Sequence, residues 1–209
     1  MSRNVYVVDI ETTGLSGQLA GDAVVEVGIS RVDLDARKVY AEYGAVVRQI
    51  LTHEQAGSWV FKNTTLTPRE VLTSPYSICD VSRVLRSRFS GSIPVTSYNR
   101  TFDLDLFLSQ PPYLWRPHFA PCIKEEASRL VTRTGEWVSA QKAYNVLCPD
   151  NPANLPDCRE EHRALSDAVM EGYILLAICS LSCDIALEYD VAIRTAEIAR
   201  LQEDDNVDE

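Results

Sequence analysis

Apolar and polar residues change period several times along this chain, and each change predicts an element. Residues 5–9 are an apolar run that ends at Asp9 and read as a first strand. Residues 23–32 (AVVEVGISRV) and 39–47 follow as second and third strands, joined by a short polar turn at 33–38. Three strands at that spacing predict an antiparallel meander, because short connections join antiparallel neighbours. Thr67-Pro68-Arg69-Glu70 has the form of a helix start, with Thr67 as cap, Pro68 in the first turn and Glu70 completing a capping box. Residues 77–89 place Ile78, Val81, Val84, Leu85 and Phe89 at helical spacing, and Gly91 stops the helix. Residues 93–97 form a short apolar strand after a helix, so a parallel pairing is expected. Residues 98–108 lead from that strand end into a helix with Phe102 and Leu106 as core and Phe107 as a further candidate. After Pro111, Pro112 and Pro117 comes a short segment at 119–123. Helices are then predicted at 124–132, 138–147, 161–181 and 184–201, with a Pro/Asn-rich loop at 149–156. The expected fold is α/β: a central mixed five-stranded sheet, an antiparallel three-strand meander followed by parallel strands, flanked by helices.

Composition narrows the class. At 209 residues, 45% hydrophobic and 24% charged, the chain reads as one globular domain over 1–202 with an acidic, disordered tail at 203–209. No apolar run of about 18 residues stands out, so no membrane span is expected. Met1-Ser2-Arg3-Asn4 leads straight into a strand without a signal-peptide pattern, so the expected location is cytoplasmic. A net charge of −10 argues against a long duplex footprint, but not against a small acidic pocket screened by bound metal. The cysteines at 79, 122, 148, 158, 179 and 183 form no C-x-x-C pair. Cys179 and Cys183, one turn apart, are either half a metal site or, as is commoner, small hydrophobes in a reducing compartment.

The chemistry starts at the end of the first strand. Asp9 and Glu11 are two apart, so on a strand they project from the same face. Paired carboxylates repel, and burying them costs several kcal/mol unless something neutralises them. A hard divalent cation with oxygen ligands does so. Alone, the pair could equally be two solvated acids at a strand end. Further acids stand beside other element ends, namely Asp103, with Asp105 near it, and Asp167. Trp59 and Phe61, in an irregular stretch, either stack on a base or cover the core.

Three motifs now stand in order: D-x-E-T-T-G-L from Asp9 to Leu15, N-x-x-F-D at Asn99, Phe102 and Asp103, and H-x-x-x-x-D at His162 and Asp167. In these the chain resembles the DEDDh family of 3′-to-5′ exonucleases over residues 5–181. The resemblance implies a ribonuclease H-like fold and a metal-dependent enzyme. Such an enzyme hydrolyses phosphodiester bonds at the 3′ end of single-stranded DNA or RNA and releases nucleoside 5′-monophosphates. It implies that Asp9, Glu11, Asp103 and Asp167 hold two Mg²⁺ or Mn²⁺ ions and that His162 is the general base. Thr12, Leu15, Asn99 and Phe102 would hold the terminal nucleotide, Phe102 being equally readable as core. His162 and Asp167 lie five apart, about 140° on an ideal helix, so His162 is expected on the loop or first turn before the helix. Tyr98-Asn99-Arg100 departs from the family's frequent His-Asn-Ala, and Thr65-Leu66 from its Gly-Ile. Arg100 either reaches a phosphate or lies on the surface. Homodimers occur in part of the family. The alternative role is a proofreading-type subunit that docks a polymerase or repair partner through the helix at 184–201 and the tail. No motif separates DNA from RNA.

Overall fold

The computed structural model describes residues 3–132, 134–149 and 161–205. The chain opens with β1 (Asn4–Thr12), β2 (Val24–Asp33) and β3 (Lys38–Val46), the expected antiparallel meander. Four helices follow: α1 (His53–Ala56), α2 (Trp59–Asn63), α3 (Pro68–Thr73) and α4 (Ile78–Arg88). The Thr67–Glu70 capping box is formed in full. Next come β4 (Val95–Thr96), a π-helix at Thr101–Leu108, α5 (Ile123–Thr132), α6 (Ala140–Leu147), α7 (Ala164–Leu181) and α8 (Cys183–Asp205). Strand order is β3-β2-β1-β4, with β4 parallel to β1. The loop predicted at 149–156 lies almost entirely outside the described residues, as do Cys158 and the tail end at 206–209.

The sheet has four strands among the described residues, not five. Where a fifth would lie, Phe119 makes one isolated parallel bridge to Val95. The Val95 N–H donates to the His118 carbonyl at 2.7 Å, and the Ala120 N–H to the Val95 carbonyl at 2.9 Å. Pro117 and Pro121 flank this bridge; neither has an N–H to donate, and a ladder cannot extend through them.

Both faces of the sheet are covered. On β1, Val5 and Val7 pack with α5 to α8, while Val8 and Ile10 pack with α4 and the π-helix on the other face. Asp9 and Glu11 continue the Val5–Val7 series and so face α7. The α7 helix has a mean hydropathy of 1.5 over 18 residues, long and apolar enough to cross a membrane, contrary to the expectation of no such run. Its apolar length is that of a core helix: it crosses β1, β2 and β3 and carries the buried acids Asp167 and Glu171. The π-helix corrects a second expectation. Its longer turn buries Asp103, Leu104, Phe107 and Leu108 and leaves Leu106 39% exposed, whereas an α-helical period would have buried Leu106. Of the pair expected to be small buried hydrophobes, Cys179 is partly buried but Cys183 is exposed, while Cys122 and Cys148 are buried and Cys79 is exposed.

Glycine sets how closely α7 approaches. Gly28 pairs with Asp9 on one side and Gly44 on the other. A Cβ on Gly28 would lie 2.1 Å from the Ala164 carbonyl carbon, main chain that cannot swing aside. Gly28→Ala should therefore cost at least about 1–3 kcal/mol, as overpacked cores do. Urea denaturation reads the loss. An unchanged midpoint would show that α7 does not depend on this approach.

Candidate metal centre

Three elements deliver acids to the space between β1 and α7. Asp9 and Glu11 come from β1, Asp103 from the π-helix that follows β4, and Asp167 from the first turn of α7. Glu11, His162 and Asp167 each offer a ligand atom, all within 4.8 Å of one another. Asp103, Glu11 and Asp167 all act on the charge of Asp9, so the four acids named from sequence lie near one another, while the ligand atoms that meet within 4.8 Å are those of Glu11, His162 and Asp167.

Glu171, which sequence reasoning missed, belongs to the same cluster. Its charge acts on Asp9 together with those of Asp103, Glu11 and Asp167. It is buried on α7 and accepts a hydrogen bond from the Tyr98 main-chain N–H at 3.3 Å. The sequence does carry a signal for it: Glu171 lies four residues after Asp167, on the same face of the helix.

Burial shapes the electrostatics first. Part of Asp9 reaches solvent, yet its carboxyl is so crowded that lost hydration, and then the charges of Glu171, Asp103, Glu11 and Asp167, push it well above the usual carboxylate range. Burial raises Asp103 to about 7, opposed by the Ser97 side chain and the main-chain N–H groups of Asp103, Ile10 and Asn99. The folded, metal-free protein thus holds protons that the unfolded chain releases near pH 4. That stabilisation is full below that pH and, for Asp103, is lost as pH rises through about 7. In chelator, the melting temperature should fall between pH 5 and pH 8, and Mn²⁺ should restore it most at pH 8. Glu171→Gln removes a negative neighbour of Asp9. It should raise the chelated melting temperature at pH 8 and reduce the gain from Mn²⁺. A melting temperature in chelator that is flat with pH would contradict both expectations.

The entry into α7 fixes the position of His162. This residue sits in the loop before the helix with φ 50, and Arg163 is extended, so the helix begins at Ala164 rather than at residue 161. Arg163 Nη2 lies 2.7 Å from Glu26 Oε1, and the Ala164 N–H donates to Glu26 Oε2 at 3.1 Å. Glu26 pairs with Glu11 across the ladder, so Arg163 neutralises an acid that would otherwise add to the cluster. The Glu161 N–H donates to Asp167 Oδ1 at 3.1 Å. Trp59 packs edge-on against the His162 ring, with centroids 4.9 Å apart. Glu26, Arg163 and this use of Trp59 have no sequence signal, since each depends on which residues the fold sets opposite one another.

The remaining sequence candidates lie around this centre. The Thr12 hydroxyl donates to the Gly14 carbonyl at 2.7 Å and closes the turn after β1. Leu15 is 81% exposed in that turn. The Asn99 carbonyl accepts from the N–H groups of Phe102 and Asp103, starting the π-helix. Phe102 is half-buried against Phe107. Asp105 is exposed and apart from the cluster. The Arg100 side chain donates to the Ala120 carbonyl at 3.3 Å.

Crowded carboxylates with one imidazole form a hard, oxygen-rich donor set, which suits Mg²⁺ or Mn²⁺. Crowding several carboxylates into a buried space is costly, and a divalent cation would offset that cost.

No family model matches the chain, and no curated protein matches it. Solved structures do. The chain superposes on cell-death related nuclease 4 with a TM-score of 0.59 at 15% identity, covering 87% of this chain and 65% of that one. It superposes on E. coli exonuclease I in complex with a dA16 oligonucleotide with a TM-score of 0.63 at 15% identity, covering 87% of this chain and 42% of that one. With the nuclease domain of 3′hExo, a DEDDh family member bound to rAMP, the TM-score is 0.56 at 13% identity, covering 88% of this chain and 94% of that domain. The chain thus spans less than two thirds of the first two, but nearly all of the 3′hExo domain. It has the fold of the DEDDh exonucleases.

Proposed function

We propose that this protein is a metal-dependent 3′-to-5′ exonuclease acting on single-stranded DNA or RNA and releasing nucleoside 5′-monophosphates. The observation that carries this reading is the meeting of Asp9, Glu11, Asp103 and Asp167 beside His162, on the fold shared with DEDDh exonucleases. The four carboxylates would hold two Mg²⁺ or Mn²⁺ ions, which when bound stabilise the attacking and leaving oxygens of an in-line displacement at phosphorus. His162 takes the proton from the attacking water, a role that needs a base within hydrogen-bond reach of the nucleophile. Exposed Leu15 contacts the terminal base, while Thr12, Asn99 and Phe102 shape the pocket for the last nucleotide. The acidic surface favours short or frayed ends over long duplex.

The test is direct. End-labelled single-stranded DNA and RNA oligomers, incubated with protein and Mn²⁺ or Mg²⁺, should give a ladder that shortens from the 3′ end. The ladder should vanish in chelator, and comparing the two polymers shows which sugar is preferred. Products carrying 3′-phosphates, or shortening from the 5′ end, would overturn the reading.

A further inference from the structure

The α8 helix has two apolar faces. Ile185, Tyr189, Ile193 and Ala196 are buried on the domain. On the opposite side Leu187, Val191, Ile198 and Leu201 are each more than half exposed. With Arg194 between them, these positions are spaced alternately four and three residues apart, so they form one straight stripe along the helix. Exposed leucines scattered singly would need no account, but two apolar pairs in line on either side of Arg194, opposite a buried face, do.

The surroundings of the stripe select what covers it. Asp184 and Glu188 flank it on one side, and Asp190 and Glu197 on the other. Leu187 and Val191 also line a groove of about 720 Å³ shared with Phe119, Glu125 and Glu188. Of the basic groups nearby, Arg129 pairs with Glu126 and Arg100 packs over the Phe119 ring, while Arg194 stands exposed within the stripe. A second copy of α8 fits poorly. An antiparallel copy centred on Arg194 would set Arg194 against Arg194 and Asp190 against the other copy's Glu197, which repel. We propose that the outer face of α8 docks an amphipathic helix of a partner protein whose apolar stripe is flanked by lysine or arginine. Such a helix lays its apolar side chains along Leu187, Val191, Ile198 and Leu201 and its basic residues against Asp184, Glu188 and Glu197.

The probe is a fluorescein-labelled, 28-residue helical peptide with leucine at the two seam positions of each heptad and lysine beside them. A second peptide carries glutamate in place of lysine. Fluorescence anisotropy should show the lysine peptide binding the full chain and the glutamate peptide not binding, with affinity weakening as salt rises. The double variant Leu187→Asp, Ile198→Asp should lose at least tenfold in affinity while its circular dichroism is unchanged. The charge variant Glu188→Lys, Glu197→Lys keeps the apolar stripe and should reverse the peptide preference. Absence of binding, equal binding of both peptides, or binding unaffected by these variants would overturn the proposal. So would concentration-dependent dimerisation, seen by sedimentation, that the Leu187→Asp, Ile198→Asp variant abolishes, since a second copy would then be the occupant.

Discussion

Asp167→Ala should lose at least about 10³-fold in turnover on 3′ ends and keep its fold. Metal-ion stabilisation of a transition state supplies several kcal/mol, and each 1.36 kcal/mol is tenfold in rate. Asp167 is buried and shares its site with Glu11 and His162, so its removal should cost most of that stabilisation. Stability should move the other way or not at all, because the variant removes one like charge from a crowded set around Asp9. Asp9→Ala should behave alike. The check pairs single-turnover kinetics with thermal melts in chelator and in Mn²⁺: the variant should melt no lower than the wild type in chelator and gain little from metal. Near-normal turnover in either variant would sink the proposed mechanism.

His162→Ala should lower the rate about 10²–10⁴-fold, the range that a positioned general base contributes. Metal binding should persist, since the carboxylates remain. Calorimetric titration with Mn²⁺ separates the two roles open to a ring so near Glu11 and Asp167. Retained affinity with a lost rate identifies a base, and added imidazole should then recover part of the rate. Affinity lost in step with rate would make His162 a metal ligand instead.

Much of this site is legible in the linear chain. Asp9 and Glu11 fall on one face because strand side chains alternate whatever the rest of the fold does. The loop position of His162 comes from helix geometry, since five residues put it off the Asp167 face. Glu171 is open to the same helical argument but belongs to no motif, so its spacing from Asp167 is the signal that the chain offers for it. The expected fifth strand does not form: its residues are apolar enough, but the flanking prolines limit it to one bridge. Leu106 turns outward because the segment winds as a π-helix, and no local residue pattern announces that longer turn.

By itself, then, the sequence determined the meander, the capped helices and the order of the acid-bearing motifs. These rest on periodicity and on neighbours within a few residues. Only the tertiary structure decided how close the acids stand. That distance depends on Gly28 and Gly44 lying in register under the start of α7, on Arg163 reaching across to Glu26, and on Trp59 closing against His162. Each is a contact between residues far apart in the chain, and packing, not local propensity, selects it.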